Sequence, residues 1–153
     1  MLFEPAGIEV HAEGYARATP PQAWRVLTDY ERLTDFVPHL QSSVLVSRNG
    51  TDAVLEQVGN GGFLLIQQQI HLLLRIREEP HSAIAIHLIS GNMQSYDAHW
   101  QLSEEGGGTR IGYRARLQPD FFVPPVIGPA LIQKNIERMM QAVLKEIERR
   151  AGL

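Results

Sequence analysis

The chain has 153 residues, of which 44% are hydrophobic and 20% charged, a composition typical of one globular domain and unlike that of disordered proteins. We therefore expect residues 1–153 to form a single domain. The formal net charge of -3, with lysine and arginine scattered along the chain, does not favour direct binding of nucleic acid, which needs a basic surface. The absence of cysteine excludes disulfides and thiol nucleophiles. No export signal is visible at the start, so a cytoplasmic location is the default expectation.

The first elements are a strand and two short helices. Apolar or small side chains alternate with polar ones over residues 8–17, which predicts a half-buried strand. Thr19-Pro20-Pro21-Gln22 is a capping-box pattern with proline at the first helical position, and it predicts a helix through Leu27. A second short helix should follow and end at Pro38, because a proline ring excludes further helix.

Residues 39–118 read as six further strands separated by short turns. Turns this short join antiparallel neighbours, because parallel strands need long crossover connections. The sequence therefore predicts an antiparallel meander. Its turns fall at Asn49-Gly50, Asn60-Gly61-Gly62, Pro80-His81, Gly91-Asn92 and Gly106-Gly107-Gly108.

The charges of the first and last strands predict that these two strands are neighbours. Glu9 and Glu13 would lie on the same face as Arg110, Arg114 and Arg116. Opposite charges on facing strands stabilise each other, so this pairing would bring the two ends of the sheet-forming chain together.

One face of the predicted sheet is apolar throughout. Because sheets with such long strands curve, we expect an apolar hollow where the sheet and a covering helix diverge, unless large side chains fill it; a solid core is the alternative, and periodicity alone does not decide. The small positions are Ala12, Gly14, Ala98 and Ala115. The larger inward positions are Leu64, Ile66, Ile70, Leu72, Leu74, Ile76, Ile84, Ile86, Leu88, Tyr96, Trp100, Leu102, Ile111, Tyr113 and Leu117.

The C-terminal segment, from about Val126 to Arg150, predicts an amphipathic helix. Its apolar stripe needs a surface to cover. Gly128-Pro129 should kink or restart the helix near its beginning, and Glu146 and Arg150 should form an exposed pair four residues apart. The stripe consists of Leu131, Ile132, Ile136, Met139, Met140, Val143 and Ile147.

The sequence resembles the START/SRPBCC superfamily and, within it, the polyketide cyclase/dehydrase and coenzyme Q-binding branch. The resemblance implies an α+β helix-grip fold, in which a seven-stranded curved antiparallel sheet wraps around a long C-terminal helix and two short helices lie between strands one and two. It also implies a tunnel for a lipophilic ligand. The segments that carry it are residues 20–31, Phe36-Val37-Pro38, Gly61-Gly62-Phe63, Trp100-Gln101-Leu102, residues 106–110 and Pro119-Asp120-Phe121.

Candidate ligand contacts lie on the inward face and on the covering helix. Aromatic rings with one polar group suit a pocket for a ring-bearing ligand, and an inward amide could hold a ligand carbonyl. The alternatives are ordinary core packing for the rings and a bond to a neighbouring group or water for the amide. The candidates are Gln68, Tyr96, Trp100, Tyr113, Ile66, Ile70, Ile86, Met139, Met140 and Val143.

The segment before the last helix predicts an entrance or lid. Phe121, Phe122 and Pro124 lie where the resembled family has its cavity mouth, and they would cover it or touch a membrane during ligand uptake. Packing of the two phenylalanines against the first helices is the alternative.

No catalytic residue, metal site or cofactor is predicted. The six histidines include no pair at metal-binding spacing, and nucleophile and phosphate-binding motifs are absent. Glu56 is the one candidate for a buried acid, if the register of its strand turns it inward; a solvated glutamate is the alternative.

Three functions remain open at this point. The leading hypothesis is binding, transport or chaperoning of a lipophilic small molecule such as a quinone, polyketide or lipid. An enzyme of the cyclase/dehydratase type is the second, and it needs an acid or base inside the cavity. The third is an interaction protein related to ribosome-association toxins, with a basic patch at Arg75, Arg77, Arg114 and Arg116. Transient membrane or ribosome contact and the oligomeric state stay open.

Overall fold

A computed structural model describes residues 7–60 and 69–153. The predicted contacts at Ile66 and Gln68 lie outside these residues. The seven described strands are β1 (Ile8–Ala16), β2 (Leu40–Asn49), β3 (Asp52–Asn60), β4 (Gln69–Glu79), β5 (Ala83–Gly91), β6 (Met93–Glu105) and β7 (Gly108–Pro119). The helices are α1 (Pro20–Leu27), a 3₁₀ helix (Tyr30–Asp35) and α2 (Ile127–Arg150).

The strands form one antiparallel sheet in the order β1-β7-β6-β5-β4-β3-β2. Each strand from β2 to β6 pairs with the next one along the chain, and β1 pairs with β7 at the other end of the sheet. The predicted meander is therefore confirmed, and the curved sheet with its C-terminal helix is a helix-grip fold.

The two short helices lie between β1 and β2, as predicted. The capping box at the start of α1 is formed: the Gln22 backbone N–H donates to Thr19 Oγ1 at 3.3 Å, and the Thr19 N–H donates to Gln22 Oε1 at 2.8 Å. The second helix is of the 3₁₀ type and ends at Asp35, ahead of Pro38.

The pairing of β1 with β7 confirms the inference drawn from charge. Arg116 binds Glu9 at 2.8 Å, and Arg110 lies 3.7 Å from Glu13. The partner of Glu13 is thus Arg110, because the register sets Arg114 opposite His11 instead.

Helix α2 is tied to the free edge of β1 by polar contacts. The Gln133 side chain bonds both backbone groups of His11, at 3.1 and 2.7 Å, and Glu148 accepts a 2.8 Å bond from the backbone N–H of Arg17. These bonds satisfy an edge that would otherwise be free to pair with another strand. They also fix α2 close to one end of the sheet.

The small residues of the inner face do not line the inner cavity described below, and one of them, Gly14, lies at the contact with α2 instead. A Cβ added at Gly14 would lie 2.4 Å from Leu144 Cδ1, so the Leu144 side chain of α2 occupies the space that a side chain at Gly14 would take. Ala98 and Ala115 are buried and lie outside the wall of the inner cavity described below.

Two expectations for α2 are corrected. The helix runs without a break from Ile127, and Gly128-Pro129 lie within its first turn, where proline is tolerated because its missing N–H has no helical partner. Glu146 is buried at 9% exposure, whereas an exposed pair was expected. Hydrogen bonds from Arg149 and Arg150 outweigh burial and lower the pKa of Glu146 to about 2.

Candidate ligand cavity

An apolar cavity of about 120 Å³ lies between the inner face of the sheet and the helices. This volume is close to that of the engineered cavity of about 150 Å³ that binds benzene, and smaller than the roughly 300–1,000 Å³ of pockets for drug-sized ligands. A single ring therefore fits the cavity as it stands. Its walls are formed by Leu27, Tyr30, Leu33, Val37, Leu40, Leu55, Gln57, Leu74, Ile76, Ile84, Ile86, Tyr96, Trp100, Tyr113, Met139 and Val143.

Six of the predicted contact residues line this cavity. They are Ile86, Tyr96, Trp100, Tyr113, Met139 and Val143. Two others do not line it. Ile70 is half-buried near the start of β4, and Met140 is 2% exposed and packs in the core one helical position away from Met139. Whether any of these residues touches a ligand stays a prediction.

The polar groups on the part of the wall formed by β6 and β7 are two tyrosine hydroxyls and an indole. Tyr96 Oη and Tyr113 Oη are 2.7 Å apart, and the ring centroids of Trp100 and Tyr113 are 4.8 Å apart. Burial raises the pKa of Tyr96, although the bond from Tyr113 opposes the rise; burial and the nearby Tyr96 raise the pKa of Tyr113 well above its ordinary value. Both phenols are therefore protonated at neutral pH.

The side chains of Tyr96, Trp100 and Tyr113 carry more hydrogen-bond donors than the bonds they make. A pair of phenols carries two O–H groups, and the bond between them uses one. The second O–H and the indole N–H of Trp100 have no acceptor among the described residues. The pair thus has a hydrogen-bond donor to offer to a molecule in the cavity.

A polar cavity residue that the sequence reasoning missed is Gln57. On β3 it shares the inward side with Ala53 and Leu55, and its Nε2 donates to Ser43 Oγ at 3.2 Å. Glu56, considered as a buried acid, faces outward instead: its side chain is 48% exposed and lies 3.7 Å from His71 Nε2.

A charged network adjoins the cavity at Tyr30 and was also missed. Tyr30 lines the cavity and donates its O–H to the carboxylate of Glu78. Arg48 binds the same carboxylate with two bonds, at 2.9 and 3.1 Å. Burial alone would raise the pKa of Glu78, but the bonds from Arg48 and Tyr30 and the charge of Arg48 bring it below its usual value.

The predicted entrance residues line a separate hollow of about 690 Å³ between β7 and α2. Phe121, Phe122 and Pro124 all contribute to it, and it shares no lining residue with the inner cavity among the described residues. Phe121 packs against the core, whereas Phe122 is 73% exposed, so Phe122 does not pack on the first helices.

The end of this segment holds a strained turn. Val126 has φ 71° and ψ -57°, and the Ile127 N–H donates to the Pro125 carbonyl at 2.8 Å. This is the geometry of a γ-turn of the rare, strained kind. A β-branched residue at positive φ is unusual, and here it is 84% exposed.

The comparisons with known proteins agree with this architecture. Residues 17–144 match the family described as polyketide cyclase / dehydrase and lipid transport. The chain belongs to this family. It is a family of ligand-binding proteins for lipophilic small molecules, and its description covers both enzymatic and transport functions. No curated protein matches the sequence significantly.

Solved structures of family-like folds superpose over almost the whole chain. The Zhui aromatase/cyclase from Streptomyces sp. R1128 has a TM-score of 0.80 at 16% identity, covering 94% of each chain. A START superfamily protein from Mycobacterium smegmatis has a TM-score of 0.79 at 13% identity, covering 92% of this chain and 97% of that one. A protein from Thermus thermophilus has a TM-score of 0.77 at 21% identity, covering 91% of this chain and 96% of that one. Identities this low show a shared fold.

Two further findings concern metal ions and membranes. Within residues 7–60 and 69–153, no three histidine, aspartate or glutamate side chains are grouped so that they could hold a metal ion. In the same part of the chain, no helix has the length and apolarity needed to cross a membrane.

Proposed function

We propose that this polyketide cyclase / dehydrase and lipid transport family member binds a lipophilic, carbonyl-bearing small molecule, such as a quinone or polyketide, and carries it without changing its bonds. The observation that carries the proposal is an apolar cavity whose sheet wall holds one hydrogen-bond donor more than the pair Tyr96–Tyr113 uses.

The donors favour a ligand with an acceptor. A buried donor left unpaired costs about 1–3 kcal/mol, and a ligand carbonyl next to the tyrosine pair would remove that cost. A hydrocarbon of the same shape would leave it in place. The cavity should therefore prefer a quinone or ketone over an alkane or plain aromatic.

The apolar walls supply the rest of the binding energy. Burial of apolar surface contributes about 25 cal/mol per Å², so one ring alone would be held weakly. A larger ligand requires the walls to move apart. Met139 suits that movement because an unbranched thioether side chain repacks easily, and it lies on the helix side of the cavity.

The chemistry of the wall supports a carrier over a cyclase or dehydratase. Such an enzyme needs a general acid or base inside the cavity. The titratable residues of the described wall are the tyrosines Tyr30, Tyr96 and Tyr113, whose pKa values are all raised. Residues 61–68, Gly-Gly-Phe-Leu-Leu-Ile-Gln-Gln, contain no titratable side chain.

The charge distribution does not favour the third hypothesis, an interaction with the ribosome. Of the four arginines expected to form a basic patch, Arg77 lies 3.4 Å from Asp52 and Arg116 lies 2.8 Å from Glu9. Such pairing lowers the net positive charge that an RNA backbone would meet.

Native purification, solvent extraction and mass spectrometry test the carrier proposal. We expect a carbonyl-bearing lipophilic molecule in the extract. Calorimetry then compares 1,4-benzoquinone with p-xylene, a matched pair of single rings of similar shape. We expect the quinone to bind about tenfold tighter, because one recovered hydrogen bond contributes about 1–1.5 kcal/mol. An empty extract together with no binding of either molecule would contradict the proposal.

A double variant identifies the donor. Tyr96→Phe or Tyr113→Phe alone leaves one hydroxyl free, so each single variant should keep the preference for the quinone. The combination of both should remove most of it. Tyr15→Phe is the matched control, because the Tyr15 hydroxyl bonds the Glu105 carbonyl outside the cavity. A double variant that keeps the full preference would show that the tyrosine pair is not the donor.

A further inference from the structure

The face of the sheet opposite the cavity carries a groove of about 420 Å³, here called the outer groove. It crosses four neighbouring strands, β1, β7, β6 and β5, and shares no lining residue with the ligand cavity. Its lining consists of Glu9, Val10, His11, Ala85, His87, Asp97, Ala98, His99, Arg114, Ala115 and Arg116.

The strand register brings three nitrogen-bearing side chains into one row. Arg114 of β7 lies directly opposite His11 of β1 on one side and His99 of β6 on the other. Side chains opposite each other in antiparallel strands have Cβ atoms about 4.5–5.5 Å apart. The next position in the row is Ala85 of β5, whose small side chain leaves the groove open beside His99.

The carboxylates of the groove are already paired with other groups. Glu9 binds Arg116 at 2.8 Å, and Asp97 Oδ1 lies 2.6 Å from His87 Nδ1. Arg114 has no ion pair or hydrogen bond through its side chain within the described chain. The centre of the row therefore holds an arginine without a counter-ion, and like charges directly opposite each other are destabilising when the histidines are protonated.

We propose that the outer groove binds a phosphate group, with the Arg114 guanidinium as its main contact and the imidazoles of His11 and His99 as additional N–H donors. The planar guanidinium fork matches the oxygens of a phosphate. Donors from three adjacent strands surround one position, and a dianion offsets the repulsion in the row better than a single carboxylate would. This site is independent of the ligand cavity and of the function proposed for it.

The titration of His99 reports on the site. Burial and the positive charge of Arg114 lower the pKa of His99, and Glu79 partly opposes them. A phosphate bound beside Arg114 should raise that pKa, because it stabilises the imidazolium form. The charged and titratable groups around His99 on this face of the neighbouring strands include Glu9, His11, Glu13, Arg75, Arg77, Glu79, His87, Asp97, Arg110, Arg114 and Arg116.

The experiment is an NMR titration of the histidine side chains with inorganic phosphate, with chloride replaced so that ionic strength stays constant. His99→Gln assigns the His99 signal. We expect saturable shifts at His11 and His99 and a higher His99 pKa at saturation. Arg114→Gln should weaken binding about tenfold or more, because a charge-assisted hydrogen bond contributes about 1.5–3 kcal/mol.

Arg75→Gln is the matched control. Arg75 is an exposed arginine on the same face, in register with His87, and it does not line the outer groove. It should leave phosphate binding unchanged. Shifts that do not saturate, that chloride reproduces, or that persist unchanged in Arg114→Gln would overturn the proposal.

A second experiment, vesicle sedimentation, identifies the kind of molecule that carries the phosphate. The protein is sedimented with phosphatidylcholine vesicles that contain or lack phosphatidate. Pelleting that needs both phosphatidate and Arg114 would assign the site to a lipid headgroup. Phosphate binding without pelleting would assign it to a soluble phosphate ester.

Discussion

The charged network beside the cavity makes a specific prediction for Glu78→Gln. Glutamine keeps the shape of the side chain and can still accept the Tyr30 hydroxyl bond through its one oxygen. Its amide N–H₂ cannot accept a bond from Arg48, which now makes two bonds to the Glu78 carboxylate at 2.9 and 3.1 Å. The variant therefore isolates the contribution of the ion pair between Glu78 and Arg48.

The expected loss of stability is about 2 kcal/mol at pH 7. Hydrogen bonds to charged groups contribute about 1.5–3 kcal/mol each, but the Arg48 side chain is 37% exposed, whereas that of Glu78 is 7% exposed. Arg48 can therefore regain water when the pair is lost, which places the cost below the roughly 3–6 kcal/mol of two such bonds. For a chain of this length the midpoint of thermal unfolding should fall by about 4–8 °C.

The pH dependence gives the sign of the effect. The pKa of Glu78 is lowered in the folded protein from 4.5, so its contribution is present above the unfolded pKa and is lost as pH falls through the folded value. The difference in the free energy of unfolding between wild type and Glu78→Gln should disappear in acid, where both side chains are neutral.

Urea unfolding over a range of pH measures both quantities. Glu79→Gln is the control, because Glu79 is the exposed neighbour on the same strand and surface changes of this kind stay within about 0.5 kcal/mol. Equal free energies of unfolding for Glu78→Gln and wild type at pH 7 would refute the reasoning. A difference between them that stays constant at acidic pH would also refute it.

Two further predictions concern α2. Gly14→Ala should lower the free energy of unfolding by about 1–3 kcal/mol, because its Cβ would lie 2.4 Å from Leu144 Cδ1; urea unfolding measures the change, and an unchanged midpoint would show that α2 moves away freely. The folded pKa of Glu146 is lowered from 4.5 to about 2, so its contribution to stability should be lost as pH falls through that window. Glu146→Gln should therefore flatten the acid side of the stability curve, and a curve of unchanged slope there would contradict the assignment.

The strands and their order were predictable because their alternation and short turns are local signals. The register of β3 was harder to predict. Val54 and Val58 are apolar although they lie on the outward side of this strand, so alternation does not show which of Glu56 and Gln57 faces inward. Pairing with β4 decides it, since Leu55 lies opposite Leu74.

The buried network could not be read from the sequence for a different reason. Glu78 continues the inward parity of Leu74 and Ile76, but it stands between Arg77 and Glu79, and such a run of charges is typical of a strand end in solvent. What makes its burial tolerable is Arg48, 30 residues away in the chain. Partners at that distance are supplied by tertiary structure, which no local pattern contains.

The position of the cavity follows from how α2 is attached. Polar bonds to β1 and the contact at Gly14 hold the helix near one edge of the sheet. The cavity wall runs across the sheet from β7 to β2, and α2 contributes Met139 and Val143 to it. A curved sheet and a straight helix joined at one edge diverge toward the other, and the space between them is filled only where side chains are long enough. The cavity thus lies where the sheet beyond β1 diverges from the anchored helix, and Gly14, one of the small inward residues, lies at the helix contact and not at the cavity.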